Sequence, residues 1–314
     1  MDRRLAGAKG NRMTIAVSSP IEQTRARYPD EEGYVERDGV RVFYEVYGHG
    51  EPTVFLLPTW SIIHSRHWKL QIPYLARHFR VLTFDGRGSG RADRPAEVDA
   101  YTETQFAADA LAVLDATRTE RAVVVGLSCG ALWGTLLAAN HPDRVEGAVF
   151  IGPAVPLAPP HPERAVHSFH ERLDTDEGWA KYNRHYWVEH YEEFLEYFLG
   201  RIFTEPHSTK QIEDCVGWGL ELTPETLIAT EEALSLCGLE SFRGTCKRVR
   251  CPVLVLHGDE DAIRPPAQGA ALAEATGGTL VTLEGSGHCP HARDPVKVNL
   301  LIREFVESLA RRPI

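Results

Sequence analysis

The stretch Val123-Val124-Val125-Gly126-Leu127-Ser128-Cys129-Gly130-Ala131 decides how this sequence folds. Consecutive valines are the chemistry of a buried strand, and the residues beyond Ala131 favour a helix. Between the two stands G-x-S-x-G. A strand that turns this sharply into a helix crowds its own flanks, so glycine is required at Gly126 and Gly130. The strained apex projects the Ser128 hydroxyl, and the helix N-terminus behind it favours negative charge nearby. The pentapeptide alone recurs by chance; its position directly after a buried strand gives it weight.

Working outward, further short apolar runs alternate with longer helical stretches. Tyr34–Arg37 and Arg41–Tyr47, separated by Asp38-Gly39, predict an antiparallel hairpin. Thr53–Leu57, Arg80–Phe84 and the Arg121–Gly126 run follow at intervals that leave room for helices, and then come Gly147–Ile151, Pro252–Leu256 and Thr279–Leu283. Near-continuous Val/Leu/Ile runs between helices are what a parallel sheet covered on both faces demands. The pattern breaks between about Val155 and Val249, where no convincing buried strand occurs. Aromatics crowd that stretch instead. Tyr182/Tyr186 and Trp187/Tyr191 are spaced by one helical turn, and Tyr191, Phe194, Tyr197 and Phe198 fit one helix face. They suit either a helical core or a helical lid roofing an apolar pocket.

Composition excludes several classes. The 314 residues are 43% hydrophobic and 25% charged, ordinary for a globular chain and foreign to fibrous or wholly disordered ones. A formal net charge of −10 argues against nucleic acid as a partner, since an acidic surface repels phosphate. No apolar run approaches the ~20 residues that cross a bilayer, so no membrane association is expected. The six cysteines show no metal-ligand spacing, which points to reduced packing thiols and no structural zinc. His64, His67, His167, His170, His185 and His190 are likewise scattered without such spacing. Residues 1–28 carry little periodicity and no signal-peptide core, so a disordered tail and a cytoplasmic protein are expected.

A serine hydroxyl is a weak nucleophile until a base takes its proton, and the base needs an acid to orient it. Both types follow downstream in the order Ser, Asp, His. His257-Gly258-Asp259-Glu260-Asp261 comes after one strand, and Gly285-Ser286-Gly287-His288-Cys289-Pro290-His291 after the last. Each lies past the C-terminal end of a parallel strand, where open α/β sheets build their sites.

With these motifs the chain resembles the α/β-hydrolases of the esterase, C–C hydrolase and dehalogenase group, from about Gly33 to Val306. The family pattern G-x-x-D-x-x-x-P falls on Gly258, Asp261 and Pro265, which implies Asp261 as the acid and leaves Asp259 a loop-capping carboxylate. The family histidine in G-x-G-H falls on His288, with His291 as the fallback base. The loop from Phe84 to Pro95 also matches the family. An elbow serine in place of an aspartate sets the dehalogenase and epoxide-hydrolase branches aside. One departure stands out: Pro58-Thr59 occupies the place of the family's His-Gly. Pro58 has no N–H to offer, so the resemblance implies the amides of Trp60 and Cys129 as the oxyanion hole. Cys129 itself is expected to pack as a small hydrophobe.

The resemblance implies an α/β-hydrolase fold with a mostly parallel eight-stranded sheet and helices on both faces. Residues 29–154 and 250–314 would form the core, with a helical lid at 155–249 inserted after the sixth strand. The expected function is a serine hydrolase acting on small-to-medium apolar carboxylic esters or lactones, with no metal and no organic cofactor. Trp60, Leu127, Trp187 and His291 are the expected pocket residues. A C–C bond hydrolase or an acyltransferase would use the same triad, and a non-catalytic binding or receptor protein on the scaffold is the alternative from another class. Monomer and homodimer are both compatible with the sequence.

Overall fold

The computed structural model of the chain describes residues 27–234 and 239–311. The expectation of a disordered tail falls almost wholly on residues outside that set, as does Cys237.

The chain opens with β1 (Glu31–Arg37) and β2 (Val40–Tyr47), joined at Asp38 and Gly39 with φ of 53° and 76°. Both central residues being left-handed gives the primed turn whose twist suits a tight hairpin. Then follow β3 (Thr53–Leu56), a 3-10 turn at Ser65–Trp68, α1 (Ile72–Leu75) and β4 (Arg80–Asp85). Next come α2 (Glu103–Ala116), β5 (Ala122–Leu127), α3 (Cys129–Asn140) and β6 (Val145–Ile151). Helices α4 (Arg184–Glu189), α5 (Tyr191–Ile202), α6 (Thr209–Gly219), α7 (Pro224–Leu234) and α8 (Leu239–Cys246) separate β6 from β7 (Val253–Gly258). The chain closes with α9 (Pro266–Thr276), β8 (Thr279–Leu283), α10 (Pro290–Arg293) and α11 (Pro295–Ala310).

The strands form one eight-stranded sheet in the order β1-β2-β4-β3-β5-β6-β7-β8. The hairpin is antiparallel to the edge at β4, and the six strands from β4 to β8 run parallel. β5 lies near the centre, pairing Val123 with Val54 on one side and with Gly147 on the other. Alternation along β6 shows that both faces are covered. A Cβ on Gly147 would meet Phe305 and Leu309 of α11, whereas Phe150, on the opposite face, fills the space left by Gly134 of α3. Such double burial is why the strands read as unbroken apolar runs rather than alternating ones.

The segment between β6 and β7 contains no strand among its described residues. Helix α5 buries Phe194, Leu195, Phe198, Leu199 and Ile202, an i, i+1, i+4, i+5, i+8 stripe. The expected pairings Tyr182/Tyr186 and Trp187/Tyr191 do not share a helix. Asn183 caps α4, its Oδ1 accepting from the amides of His185 and Tyr186, so Tyr182 stands outside. His190, at φ −140°, then separates α4 from α5. Among the described residues no helix is long and apolar enough to cross a membrane.

A buried ion network fastens the loop after β4 to α2. Asp109 accepts from Arg87 Nε at 2.5 Å and Nη2 at 2.9 Å, and from Arg37 Nε at 2.9 Å. Asp109 and Arg87 are each 1% exposed, so removing the carboxylate would strand the Arg87 guanidinium deep in the protein, whereas Arg37 keeps Asp38 and Gln105 as partners. Asp109→Ala is therefore expected to cost about 3–5 kcal/mol of folding stability, read from urea unfolding against the wild type.

Candidate active site

The turn between β5 and α3 holds Ser128 at φ 53° and ψ −115°, a backbone conformation that a side-chain-bearing residue seldom adopts. Surrounding contacts over-determine it. The Ser128 amide donates to Ile151 O at 2.9 Å, and its carbonyl accepts from Ala131 and Ala154. A Cβ on Gly126 would collide with the Gly130 carbonyl, and one on Gly130 with the carbonyl of Pro58. The two glycines therefore serve close approach of main chain to main chain.

That approach lays the loop after β3 against the first turn of α3. Among the described residues, neither the Trp60 amide nor the Cys129 amide donates to a backbone carbonyl. The loop is anchored from behind: Ser61 Oγ donates to Arg87 O at 2.8 Å, and the amide and hydroxyl of Ser65 donate to Asp85 Oδ1 at 3.0 and 2.6 Å. Trp68 Nε1 donates to Leu57 O at 2.9 Å. Sequence reasoning missed Ser61, Ser65 and Asp85, whose role exists only once two loops are brought together.

Asp261 and His288 meet across the ends of β7 and β8. His288 Nδ1 lies 2.8 Å from Asp261 Oδ2, while Oδ1 accepts the amides of Ile263 and Arg264, each at 2.8 Å. The imidazole proton facing the carboxylate leaves Nε2 as the basic nitrogen. Burial alone would raise the Asp261 pKa; the facing His288 and His257 rings and their hydrogen bonds outweigh it and hold the carboxyl well below its ordinary range. Asp259 is instead exposed and accepts the Gly285 amide at 2.7 Å. His257 was not singled out from the sequence, yet its Nε2 donates to Arg264 O at 3.0 Å and lies 3.1 Å from Asp261 Oδ2.

The insert clamps the histidine loop. The His288 amide donates to Ile202 O at 3.1 Å, and the Gly287 amide to Glu205 Oε1 at 2.9 Å. No sequence signal marked either partner.

Ser128, His288, Trp60, Leu127 and Cys129 all line one cavity of about 30 Å³, room for about two waters. Within it no hydrogen bond joins Ser128 to His288 among the described residues. The Cys129 thiol is pushed up to about 11 by burial, which disfavours thiolate chemistry there. Cys129, Cys215, Cys251 and Cys289 are free thiols.

Two expected pocket residues lie elsewhere. Trp187 is fully buried behind the cavity wall, stacked on Phe194 at 4.4 Å and donating from Nε1 to Lys181 O at 3.1 Å. Tyr182 and Phe198 line the cavity instead, because the break before α4 turns Tyr182 inward and α5 presents Phe198. His291 lines a second, neighbouring cavity of about 230 Å³ together with His67. Their rings meet at 3.3 Å, His67 Nδ1 to His291 Nε2.

A serine at the apex of a strand-to-helix turn, with an Asp–His pair carried on later strand ends, is the arrangement of a hydrolase built on an open α/β sheet. The chain belongs to the α/β-hydrolase family: the family model described as alpha/beta hydrolase fold matches residues 49–295. It is 27% identical over 285 residues to the AB hydrolase superfamily protein YisY of Bacillus subtilis, covering 86% of this chain and 96% of that protein. It is 26% identical to the bifunctional esterase/perhydrolase DCH of Acinetobacter calcoaceticus, covering 88% of this chain and all of the relative (100%). Among solved structures, the enol-lactonase of Burkholderia xenovorans LB400 superposes with a TM-score of 0.72 at 25% identity, over 88% of this chain and 100% of that one. The protein is thus a hydrolase of this family.

The His67–His291 pair sets a dependence of stability on pH. Burial is the main cause that lowers both, His291 to about 3, with the neighbouring His288 adding to the effect on His291. The unfolded chain takes up protons near the ordinary imidazole pKa of about 6.5, which the folded chain resists, so stability falls as pH drops. For His291 alone the loss between pH 7 and pH 5 is about 2 kcal/mol. Urea unfolding at these two pH values should show a shallower pH slope for His291→Gln than for wild type, whatever its absolute stability.

Proposed function

We propose that the protein is a serine hydrolase that cleaves carboxylic esters or lactones through an acyl-enzyme intermediate. The observation that carries this reading is the Asp261–His288 pair, 2.8 Å apart, whose histidine lies on the wall of the same cavity as a serine at φ 53°. Ser128 Oγ attacks the acyl carbon while His288 Nε2 takes its proton. Asp261, already ionised, stabilises the imidazolium. The Trp60 and Cys129 amides, which have no backbone acceptor among the described residues, hold the developing oxyanion in place of bulk water. His288 gives its proton to the leaving alcohol, then draws one from a water that attacks the acyl carbon and frees the acid. The similarity to an esterase/perhydrolase and to an enol-lactonase supports this chemistry.

A cavity of about 30 Å³ is too small for an ester with both of its groups. We therefore read residues 155–249 as a lid over the core at 29–154 and 250–314, opening to admit substrate. Pro58-Thr59 in place of His-Gly leaves this chemistry intact, since the hole needs main-chain amides and not a particular side chain.

A fluorophosphonate probe is expected to label the wild type at Ser128, and p-nitrophenyl esters of increasing chain length to be turned over. Ser128→Ala should abolish labelling and lower kcat by at least about 10⁴-fold, and Asp261→Asn by a similar factor. A wild type that neither labels nor cleaves any ester would overturn the reading, as would a Ser128→Ala variant that keeps its activity.

A further inference from the structure

The cavity over Ser128 is not a plain apolar slot. Arg164, from the start of the insert, and Arg264, from the loop that carries Asp261, both line it, together with Tyr182 and Glu231. Arg164 has structural occupations. Its Nη1 donates to Ile263 O at 2.8 Å, and its guanidinium lies 4.8 Å from the Trp179 ring centre and 5.1 Å from that of Tyr182.

Arg264 is different. Its amide donates to Asp261 Oδ1 and its carbonyl accepts from His257, so the main chain is fixed while the side chain is left over. Its Nε is buried without a partner, and the guanidinium forms no ion pair among the described residues. Glu231 is the one acid lining the cavity among the described residues, and burial raises its pKa, against the pull of Tyr182, Arg164 and Arg264. Even with Glu231 ionised, two guanidinium groups face one carboxylate.

Arg264 is half-buried and shares the single lining acid, Glu231, with Arg164, so the cavity over the nucleophile carries an excess of positive charge and is organised for an anion. Resting on the serine-hydrolase reading above, we propose that the substrate carries a free carboxylate besides its scissile acyl group, and that Arg264, backed by Arg164, binds it. The class is a half-ester of a dicarboxylic acid, or a lactone bearing a carboxylate. Ser128 Oγ bonds to the esterified acyl carbon, the alkoxide leaves with the proton from His288, and water then releases the acid. A half-ester and one water thus give a dicarboxylate, an alcohol and a proton. The fork of the guanidinium suits two-point binding of the spectator carboxylate, which sets the distance from charge to scissile carbon. This sharpens the apolar substrate expected from the lid aromatics: the walls are apolar, but one end is charged.

The test compares kcat/KM for the monomethyl esters of succinate, glutarate and adipate with that for methyl alkanoates of matched length, by product quantification. In the wild type at least one half-ester should exceed its neutral partner by about ten- to a hundredfold. Arg264→Met should lower that ratio by about tenfold or more, chiefly through KM, with Arg264→Lys restoring part of it and Arg164→Met lowering it less. Independently of turnover, the dicarboxylate matching the best half-ester should raise the Tm of Ser128→Ala but not that of the Arg264→Met variant. If neutral esters are cleaved as well as half-esters, or the ratio survives Arg264→Met, the inference is overturned while the serine-hydrolase reading stands. If wild type cleaves neither series and resists the fluorophosphonate, both fall together.

Discussion

The carbonyl oxygen of Pro58 stands where a side chain on residue 130 would begin, and the carbonyl of Gly130 stands where one on residue 126 would begin. These two approaches of main chain to main chain are the constraint on which the site depends. They allow the chain to leave β5 and enter α3 within one residue, forcing Ser128 into a positive φ, and they bring the loop after β3 within reach of the same turn. Beside this close approach, Trp60 and Cys129 line a common cavity. Behind them, Asp85 and Asp109 use buried carboxylates to hold loop to loop and loop to helix. Desolvated carboxylates are expensive, and here each is fully engaged by charged or polar donors.

The other half of the site is secured from outside the sheet. Ile202 and Glu205, at the end of α5, hold the amides of the loop that carries His288. The stretch from Ile202 to Glu205 is therefore a structural partner of the histidine. Asp261 is tied both to its own neighbourhood, through the amides of Ile263 and Arg264, and to the segment after β6, whose His161 Nε2 donates to its carbonyl at 2.8 Å.

The strand-turn-helix at Ser128 was legible because its requirements are local: a buried strand, two obligatory small residues and an apex. The hairpin at Asp38-Gly39 was legible for the same reason. Choosing Asp261 over Asp259 needed the spacing to Gly258 and Pro265, and the structure separates the two by burial and partners. The pocket was read less well. Trp187 and Tyr182 look alike in sequence, and only the Asn183 cap decides which faces the cavity. His67 and His291 pair across 224 residues, and no pattern along the chain could announce that. Arg264 sat in plain view inside the Asp261 motif, but a lone arginine in a loop says nothing until its lack of a partner is seen.

Trp60 belongs to two parts of the molecule at once. Its amide lies on the loop beside the elbow, while its indole donates to Thr230 Oγ1 at 2.9 Å and has the rings of Trp187 and Phe198 at 6.0 and 5.5 Å. Both groups hang from a single Cα, with only the two side-chain torsions of the tryptophan between roof and floor. On the proposed mechanism, a raised lid drags one oxyanion donor out of register, and a lowered one restores it. On that proposal the residue is an interlock: the machinery would be armed only while the chamber is shut, and an open chamber would expose a serine that lacks its full complement of donors.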